Sequence, residues 1–131
     1  MVMEYSPGKT PKGRQCVLLL SSGTVTFDEA DRFANLLLPG GEFYGMPLMA
    51  TVKDGTDFTL DARKRFANMG NTNDDFPTAI VITSAPVRLM INFIVKASNL
   101  TRSKPSVVKF FSEKGEAMKW LDEEMDQRST K

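Results

Sequence analysis

Four apolar runs, each followed by a segment with helical spacing, most strongly limit how this chain can fold. The runs span residues 16–20, 47–52, 78–83 and 106–111. The first shows no polar alternation, as expected of a strand that is covered on both faces. The segments that follow carry helical patterns over residues 27–38, 60–69, 85–99 and 113–126. Because short connections lay each helix back on the sheet by right-handed crossovers, the sequence predicts an α/β layer fold with a mostly parallel sheet.

Capping and turn-forming residues mark where these elements begin and end. Thr26 and Glu29 have the spacing of a capping box, and Thr59 and Ser84 are the predicted N-caps of the next two helices. The predicted loops and turns are the stretches rich in proline, glycine, asparagine or aspartate: residues 6–14, 39–46, 53–55, 71–75 and 101–105.

The length of 131 residues, with 41% hydrophobic content, suits one compact domain over residues 1–131. Within it, residues 1–14 are predicted to form an N-terminal edge segment and loop, of which residues 1–5 are a candidate antiparallel strand. Residues 127–131 are predicted to fray.

Charge and residue types exclude several classes of function. Lys and Arg total 17 against 16 Asp and Glu, so a net charge of +1 gives no general field for nucleic acid. The chain has no histidine, which excludes Ser-His-Asp and Cys-His catalysis and His-bearing metal sites. The uncharged stretches are far shorter than the ~20 residues that a membrane span needs. We therefore expect a cytoplasmic protein without an integral membrane segment or a nucleic-acid partner.

The single cysteine, Cys16, heads the apolar run over residues 16–20. Alone, it can form neither an internal disulfide nor a thiolate cluster. We interpret Cys16 as a buried packing residue of a protein in a reducing compartment.

Several short motifs resemble those of a known group of bacterial domains. They are GTVTFDE at residues 23–29, LDAR at 60–63, SAPVRLMINF at 84–93, KFFS at 109–112 and EAMKWL at 116–121. Together they resemble small bacterial STAS-like domains, which are similar in fold to anti-sigma-factor antagonists and are also described as lipid-transfer-like. The resemblance implies a four- to five-stranded, mostly parallel but mixed sheet with about four helices mainly on one face. It implies no known enzyme activity and no cofactor.

The anti-sigma-factor antagonists in this group carry a phosphorylated serine in an Asp-Ser-Ser-Gly turn at the start of the second helix. That motif is absent here, and its nearest counterpart is Phe58-Thr59-Leu60-Asp61. Thr59 is therefore a candidate phospho-acceptor at a helix N-terminus, where a phosphate is stabilised. The simpler interpretation of Thr59 is an N-cap alone.

The third predicted helix has two apolar faces. At about 100° per residue, one face points to the sheet and comprises Val87, Met90, Ile91, Ile94, Ala97 and Ser98. Leu89, Phe93 and Leu100 point elsewhere, beside the polar stripe that carries Arg88 and Lys96. A large apolar side chain left in water forgoes roughly 1.5–3 kcal/mol of burial, so these five residues form a candidate interaction face. Its possible occupants are a second copy or partner protein, a small apolar ligand, or a neighbouring loop.

Asp54, Asp57 and Asp61 lie near one predicted strand-to-helix turn, at the end of the sheet where α/β proteins commonly bind ligands. A divalent ion or an acid-base pair is conceivable there, but we favour turn and cap roles for the three carboxylates. The nearby basic residues, Lys53 and residues 63–65, are interpreted as a solvated helix face.

Two hypotheses of function follow from these patterns. In the first, the chain is a non-enzymatic regulatory module that binds a second copy of itself, a regulatory protein, or both through its third helix. In the second, that helix face and a loop carrying Phe43, Tyr44 and Met46 enclose a lipid-like or other small apolar ligand, which makes the protein a carrier or sensor. Neither hypothesis requires a metal or a cofactor.

Overall fold

The computed structural model describes residues 2–68, 77–100 and 107–129, and within them seven strands and four helices. The strands are β1 (Met3–Lys9), β2 (Gln15–Ser21), β3 (Thr24–Val25), β4 (Leu48–Val52), β5 (Asp57–Phe58), β6 (Thr78–Ile82) and β7 (Val108–Phe111). The helices are α1 (Phe27–Leu37), α2 (Leu60–Ala67), α3 (Ala85–Asn99) and α4 (Lys114–Ser129). The predicted loops at 71–75 and 101–105 lie outside the described residues, as do the predicted helix end at Met69 and strand start at Ser106.

Five strands form the central sheet in the order β1-β2-β4-β6-β7. The first pair is antiparallel, and every later pair is parallel. Since each new parallel strand is added on the same side, right-handed crossovers place α1, α2 and α3 on one face of the sheet. The prediction of a mixed, mostly parallel sheet with its helices mainly on one face is confirmed. Because this strand order never reverses, it forms no switch-point crevice of the kind that binds nucleotides.

Alternate residues of each strand supply two separate cores, since successive side chains point to opposite faces. Toward α1, α2 and α3 the strands direct mainly Val17, Leu19, Leu48, Ala50, Val52, Ile80 and Ile82. Toward α4 they direct Met49, Ala79 and Val81, which pack with Ala117 and Leu121. Trp120, a predicted core residue, is half-buried and packs on the ring of Phe111 at 5.7 Å between centroids.

Cys16 is fully buried in the sheet, as predicted. Burial raises the pKa of its thiol, and the negative charge of Asp122 raises it further. The thiol is therefore held in its neutral form, which suits a packing residue.

A polar cluster ties the β1–β2 turn to α4. The carboxylate of Asp122, which is 3% exposed, accepts hydrogen bonds from the Lys12 backbone at 3.0 Å and from Arg14 Nη1 at 2.9 Å. The side chains of Lys12 and Arg14 also pair with Asp126. Burial alone would raise the pKa of Asp122, but hydrogen bonds from Thr10, Lys12 and Arg14 outweigh it and lower the pKa. The cluster holds α4 against the turn through charge as well as apolar packing.

The N-terminal strand is longer than predicted, and the loop predicted over residues 6–14 is wrong for its first part. β1 continues through Ser6, Pro7 and Gly8 to Lys9, and only residues 10–14 form the turn. An edge strand tolerates proline because it is paired on one side only. At Gly8 a β-carbon would lie 2.5 Å from Leu18 Cδ1, so the glycine leaves room for the Leu18 side chain.

Two details at the helix ends differ from the predictions. The side chain of Thr26 makes no capping hydrogen bond, so the predicted capping box does not form. Helix α1 still begins at Phe27, stabilised by the burial of Ala30 and Phe33 and by acidic residues in its first turn. Residues 127–129, predicted to fray, belong to α4.

A second, two-stranded sheet was not predicted. β3 and β5 pair in parallel, with Val25 opposite Phe58. Both side chains are buried. This small sheet brings the start of α1 next to the start of α2, and Arg65 then reaches Asp31 with Nε 2.7 Å from Oδ1.

Candidate functional site

Helix α3 begins where the sequence predicts. The hydroxyl of Ser84 accepts a hydrogen bond from the Val87 backbone at 3.5 Å, and Pro86 lies in the first turn. Val87, Ile91 and Ser98 are buried toward the sheet. Ala97, which the helical spacing also assigned to that face, is exposed. This correction follows from the position of α2, which leaves Ala97 lining a groove on the outside.

The outward apolar side chains of α3 are exposed as predicted. Phe93 is 65% exposed and Leu89 is 58% exposed. Among the described residues, five large apolar side chains are exposed, and three of them belong to α3 and its C-cap. The surface is therefore a local concentration of apolar area rather than one of many scattered residues.

Leu89 and Phe93 form one wall of a groove between α2 and α3, which we call the outer groove. It has a volume of about 490 Å³ and is lined by Arg63, Lys64, Ala67, Pro86, Leu89, Met90, Phe93, Ile94 and Ala97. Arg63 is held in place, since its Nη2 lies 3.0 Å from Asp57 Oδ1 and its Nε donates to the Phe58 carbonyl at 2.9 Å. The sequence pattern predicted a solvated helix face for Arg63 and Lys64 and did not indicate that they line a groove.

The other predicted members of the interaction face lie outside the groove. Arg88 turns toward β7, where its guanidinium carbon lies 5.1 Å from the centre of the Phe110 ring. Lys96 is exposed, and Leu100 is 87% exposed at the C-cap of α3. The structure thus joins Leu89 and Phe93 to α2 and separates them from the cations that the sequence placed beside them.

The loop proposed to cover α3 does not do so. Phe43 is buried in the core, with its ring 6.0 Å from that of Tyr5, and Met46 packs partly against the same core. Tyr44 is 47% exposed. None of these three residues lines the outer groove. Because Phe43 serves the core between β1 and α1, the loop is anchored away from α3.

Thr59 caps α2, as predicted. Its hydroxyl accepts a hydrogen bond from the Ala62 backbone at 3.3 Å and donates one to the carboxylate of Asp61. These contacts account for Thr59 as an N-cap, and its phosphorylation stays a prediction.

The three aspartates of the strand-to-helix turn are each engaged locally. Asp54 accepts a hydrogen bond from the Thr83 hydroxyl at 3.0 Å. Asp57 accepts from its neighbour's backbone and from Arg63, and Asp61 accepts from Thr59. In the described part of the chain, no three cysteine or acidic side chains are grouped as metal ligands would be.

Beneath α3 lies a partly open apolar pocket that no local sequence pattern indicates, which we call the inner cavity. Its volume is about 180 Å³, and its walls come from the central sheet and from the inward faces of α1, α2 and α3. Helical spacing identifies Ile91 and Ile94 as inward residues, but it does not reveal a gap between them and the strands.

Comparisons with known proteins bear on the fold. No model of a known protein family matches the chain, and no curated protein matches it. A solved structure does match: an uncharacterized protein of the DUF3478 family from Shewanella loihica PV-4, which has a SpoIIAA-like fold. It superposes with a TM-score of 0.62, covering 91% of this chain and 93% of that chain, at 15% sequence identity. This chain has a SpoIIAA-like fold.

The SpoIIAA-like fold is the STAS fold that the sequence motifs resemble, so the predicted fold class is confirmed. At this identity the likeness extends to the fold and not to an activity. No helix in residues 2–68, 77–100 or 107–129 is long and apolar enough to cross a membrane. The outer groove and the inner cavity share α3 and are two places with room for a partner in the described part of this SpoIIAA-like domain. A third groove lies at the ends of β4 and β6, beside Asp54 and Thr83.

Proposed function

We propose that this protein is a non-enzymatic regulatory module that works by binding, and that a second copy of the chain docks on the outer groove of α3. The exposure of Phe93 and Leu89 carries the proposal. Each forgoes roughly 1.5–3 kcal/mol of burial in the isolated chain. A homodimer with α3 at its centre covers both, and a symmetric pair is the commonest form of soluble assembly.

The local contacts of the aspartates support a role without catalysis. Asp57 and Asp61 serve Arg63 and Thr59, so their carboxylates stabilise the start of α2 rather than converge on a common point. Aromatic residues near the centre of an interface commonly carry much of its binding energy, which favours Phe93 as the anchor.

The test is the assembly mass of the wild-type protein and of Phe93→Asp, measured by native mass spectrometry. We expect a dimer for the wild type and a monomer for the variant, because aspartate removes the apolar ring that anchors the interface and would lose its hydration there. Tyr44→Asp is the matched control, since it places the same charge on another exposed aromatic, outside the groove.

A monomeric wild type, or a Phe93→Asp variant that keeps the dimer mass, contradicts the proposal. Circular dichroism establishes that the variant is folded. Leu89→Ser, a milder change on the same wall, gives a second measure and should weaken the dimer without adding charge.

A further inference from the structure

The two walls of the outer groove differ in chemistry. The wall from α3 is apolar, and its members recur at helical spacing: Pro86, Leu89, Met90, Phe93, Ile94 and Ala97. The wall from α2 is mainly basic, with Arg63 and Lys64 beside Ala67. None of the described lining residues is acidic. The partner that best fits this groove is therefore apolar toward α3 and negatively charged toward α2.

Both cations of the α2 wall have capacity to bind a carboxylate. Lys64 is exposed, and it forms no ion pair with a described residue. Arg63 uses Nε and Nη2 to hold the Phe58 carbonyl and Asp57, while 41% of its side chain stays exposed. No described residue accepts a hydrogen bond from its Nη1. A guanidinium that is already held in place loses little freedom when a partner binds it.

The length of the apolar wall fits a helix. From Pro86 to Ala97 it extends about 16 Å at ~1.5 Å per residue, which is the length of three helical turns. A groove with such a stripe is a common docking site for an amphipathic helix, whose apolar residues at i, i+3 or i+4, and i+7 lie in the groove. An extended peptide needs a free sheet edge instead, which neither α2 nor α3 provides.

A second copy of the chain supplies only part of this chemistry. If two copies meet through α3, each brings another Ala85–Asn99 helix, which carries Arg88 and Lys96 and no acidic residue. Lys64 of one copy therefore gains no carboxylate from α3 of the other, and like charges that face each other weaken the pair. A helix with acidic residues along one flank meets the same apolar wall without that penalty.

We propose that the outer groove binds an amphipathic helix with an acidic flank, from a partner protein, and that this helix displaces the second copy. The inference rests on the proposed function, because it takes the groove as the docking surface, and it adds the chemistry of the partner. The apolar face of the helix packs on Leu89 and Phe93, and its carboxylates meet Lys64 and Nη1 of Arg63. The homodimer and the complex with the partner exclude each other, so the partner regulates the assembly.

Fluorescence polarisation of the full chain with three designed peptides tests this proposal. Each peptide has about 14 residues, or roughly four helical turns. The first has leucines at helical spacing and glutamates along one flank, the second has lysines in place of the glutamates, and the third has the residues of the first without helical spacing. The first should bind at least about tenfold more tightly than the others. Its affinity should fall as salt is added, because salt screens exposed charges.

Charge reversal at Lys64 locates the acidic flank. Lys64→Glu should weaken binding of the acidic peptide about fivefold and strengthen binding of the basic peptide, because one attraction is replaced by a repulsion. A variant that merely fails to fold would not gain the basic peptide. Lys119→Glu is the matched control, since Lys119 is an exposed lysine of α4, on the other face of the sheet. It should bind all three peptides as the wild type does.

The proposal is overturned if the acidic and basic peptides bind alike, if neither binds, or if Lys64→Glu binds them as Lys119→Glu does. Binding of phosphatidylglycerol vesicles without binding of the acidic peptide would also overturn it, in favour of an anionic membrane surface.

Native mass spectrometry separates a failure of this inference from a failure of the homodimer. The acidic peptide should convert the dimer to a complex of one chain and one peptide. A monomeric wild type that binds the acidic peptide contradicts the homodimer and supports the acidic partner. A dimer that the peptide leaves intact supports the homodimer and overturns the acidic partner.

Discussion

The two faces of the central sheet are covered in different ways. On one face α4 packs closely, with Ala117 and Leu121 fully buried and the Asp122 cluster holding the helix to the β1–β2 turn. On the other face α3 lies over a partly open apolar pocket of about 180 Å³ and exposes Leu89 and Phe93 on its outside. The face covered by α4 is therefore closely packed. The face covered by α1, α2 and α3, which we call the looser face, leaves space both beneath α3 and outside it. Binding is expected on the second face.

The largest contrast in stability between the faces should come from truncating a central apolar residue of α4 and one of α3. Leu121→Ala removes a fully buried side chain from the filled face and should lower the free energy of unfolding by about 4 kcal/mol. Ile91→Ala should lower it by about 2 kcal/mol, because a side chain beside a void has fewer contacts to lose. Urea denaturation measures both. Equal losses at the two positions would show that the faces are packed alike.

The next largest effect tests whether the charge of the Asp122 carboxylate stabilises the position of α4. Asp122→Asn should lower the free energy of unfolding by about 2 kcal/mol at neutral pH, since it weakens hydrogen bonds to a charged group. The folded-state pKa of Asp122 is lowered, so the stability it confers is present above its unfolded value of about 3.9. That stability is lost as the pH falls through the lower folded pKa. The wild-type and variant curves should therefore converge in acid.

The control for this pH dependence is Glu123→Gln, on the same helix with an exposed side chain. It should keep the wild-type dependence on pH. If the gap between the wild type and Asp122→Asn persists undiminished below pH ~3, the carboxylate of Asp122 is not the group that stabilises α4.

Much of the fold could be predicted because local patterns determine it. A strand covered on both faces needs an unbroken apolar run, so β2, β4 and β6 were visible in the sequence. Helical spacing likewise predicted that Leu89 and Phe93 point away from the sheet. The edge strand β1 was only partly predicted, because Pro7 and Gly8 are turn formers whose presence in a strand depends on its place at the edge.

The features that escaped prediction depend on contacts between distant parts of the chain. Arg14 and Asp122 are 108 residues apart in sequence, and nothing local to either one identifies the other. A signal was present, since Asp122 follows Met118 by one helical turn on a partly apolar face and so needed a polar partner there. The inner cavity has no such signal, because its volume depends on how far α3 lies from the sheet.

The smallest predicted effect compares two helix N-caps on the looser face. The capping hydrogen bond of Thr59 forms, and that of Thr26 does not. Thr59→Ala removes the hydroxyl that accepts from the Ala62 backbone and should lower the free energy of unfolding by about 1 kcal/mol. Thr59→Ser keeps the hydroxyl and should be close to the wild type. Thr26→Ala should cost only a few tenths of a kcal/mol, because the Thr26 side chain makes no capping hydrogen bond.

Amide hydrogen exchange shows which helices lose local stability when the Thr59 cap is removed. Because α2 contacts α1 and α3 on the looser face, exchange in Thr59→Ala should quicken in α2 and its neighbours. Exchange in α4 should stay as in the wild type, since that helix is held to the other face by Leu121 and Asp122. A uniform increase across all four helices would mean that the two faces open together, and the contrast between them would then concern packing alone and not local stability.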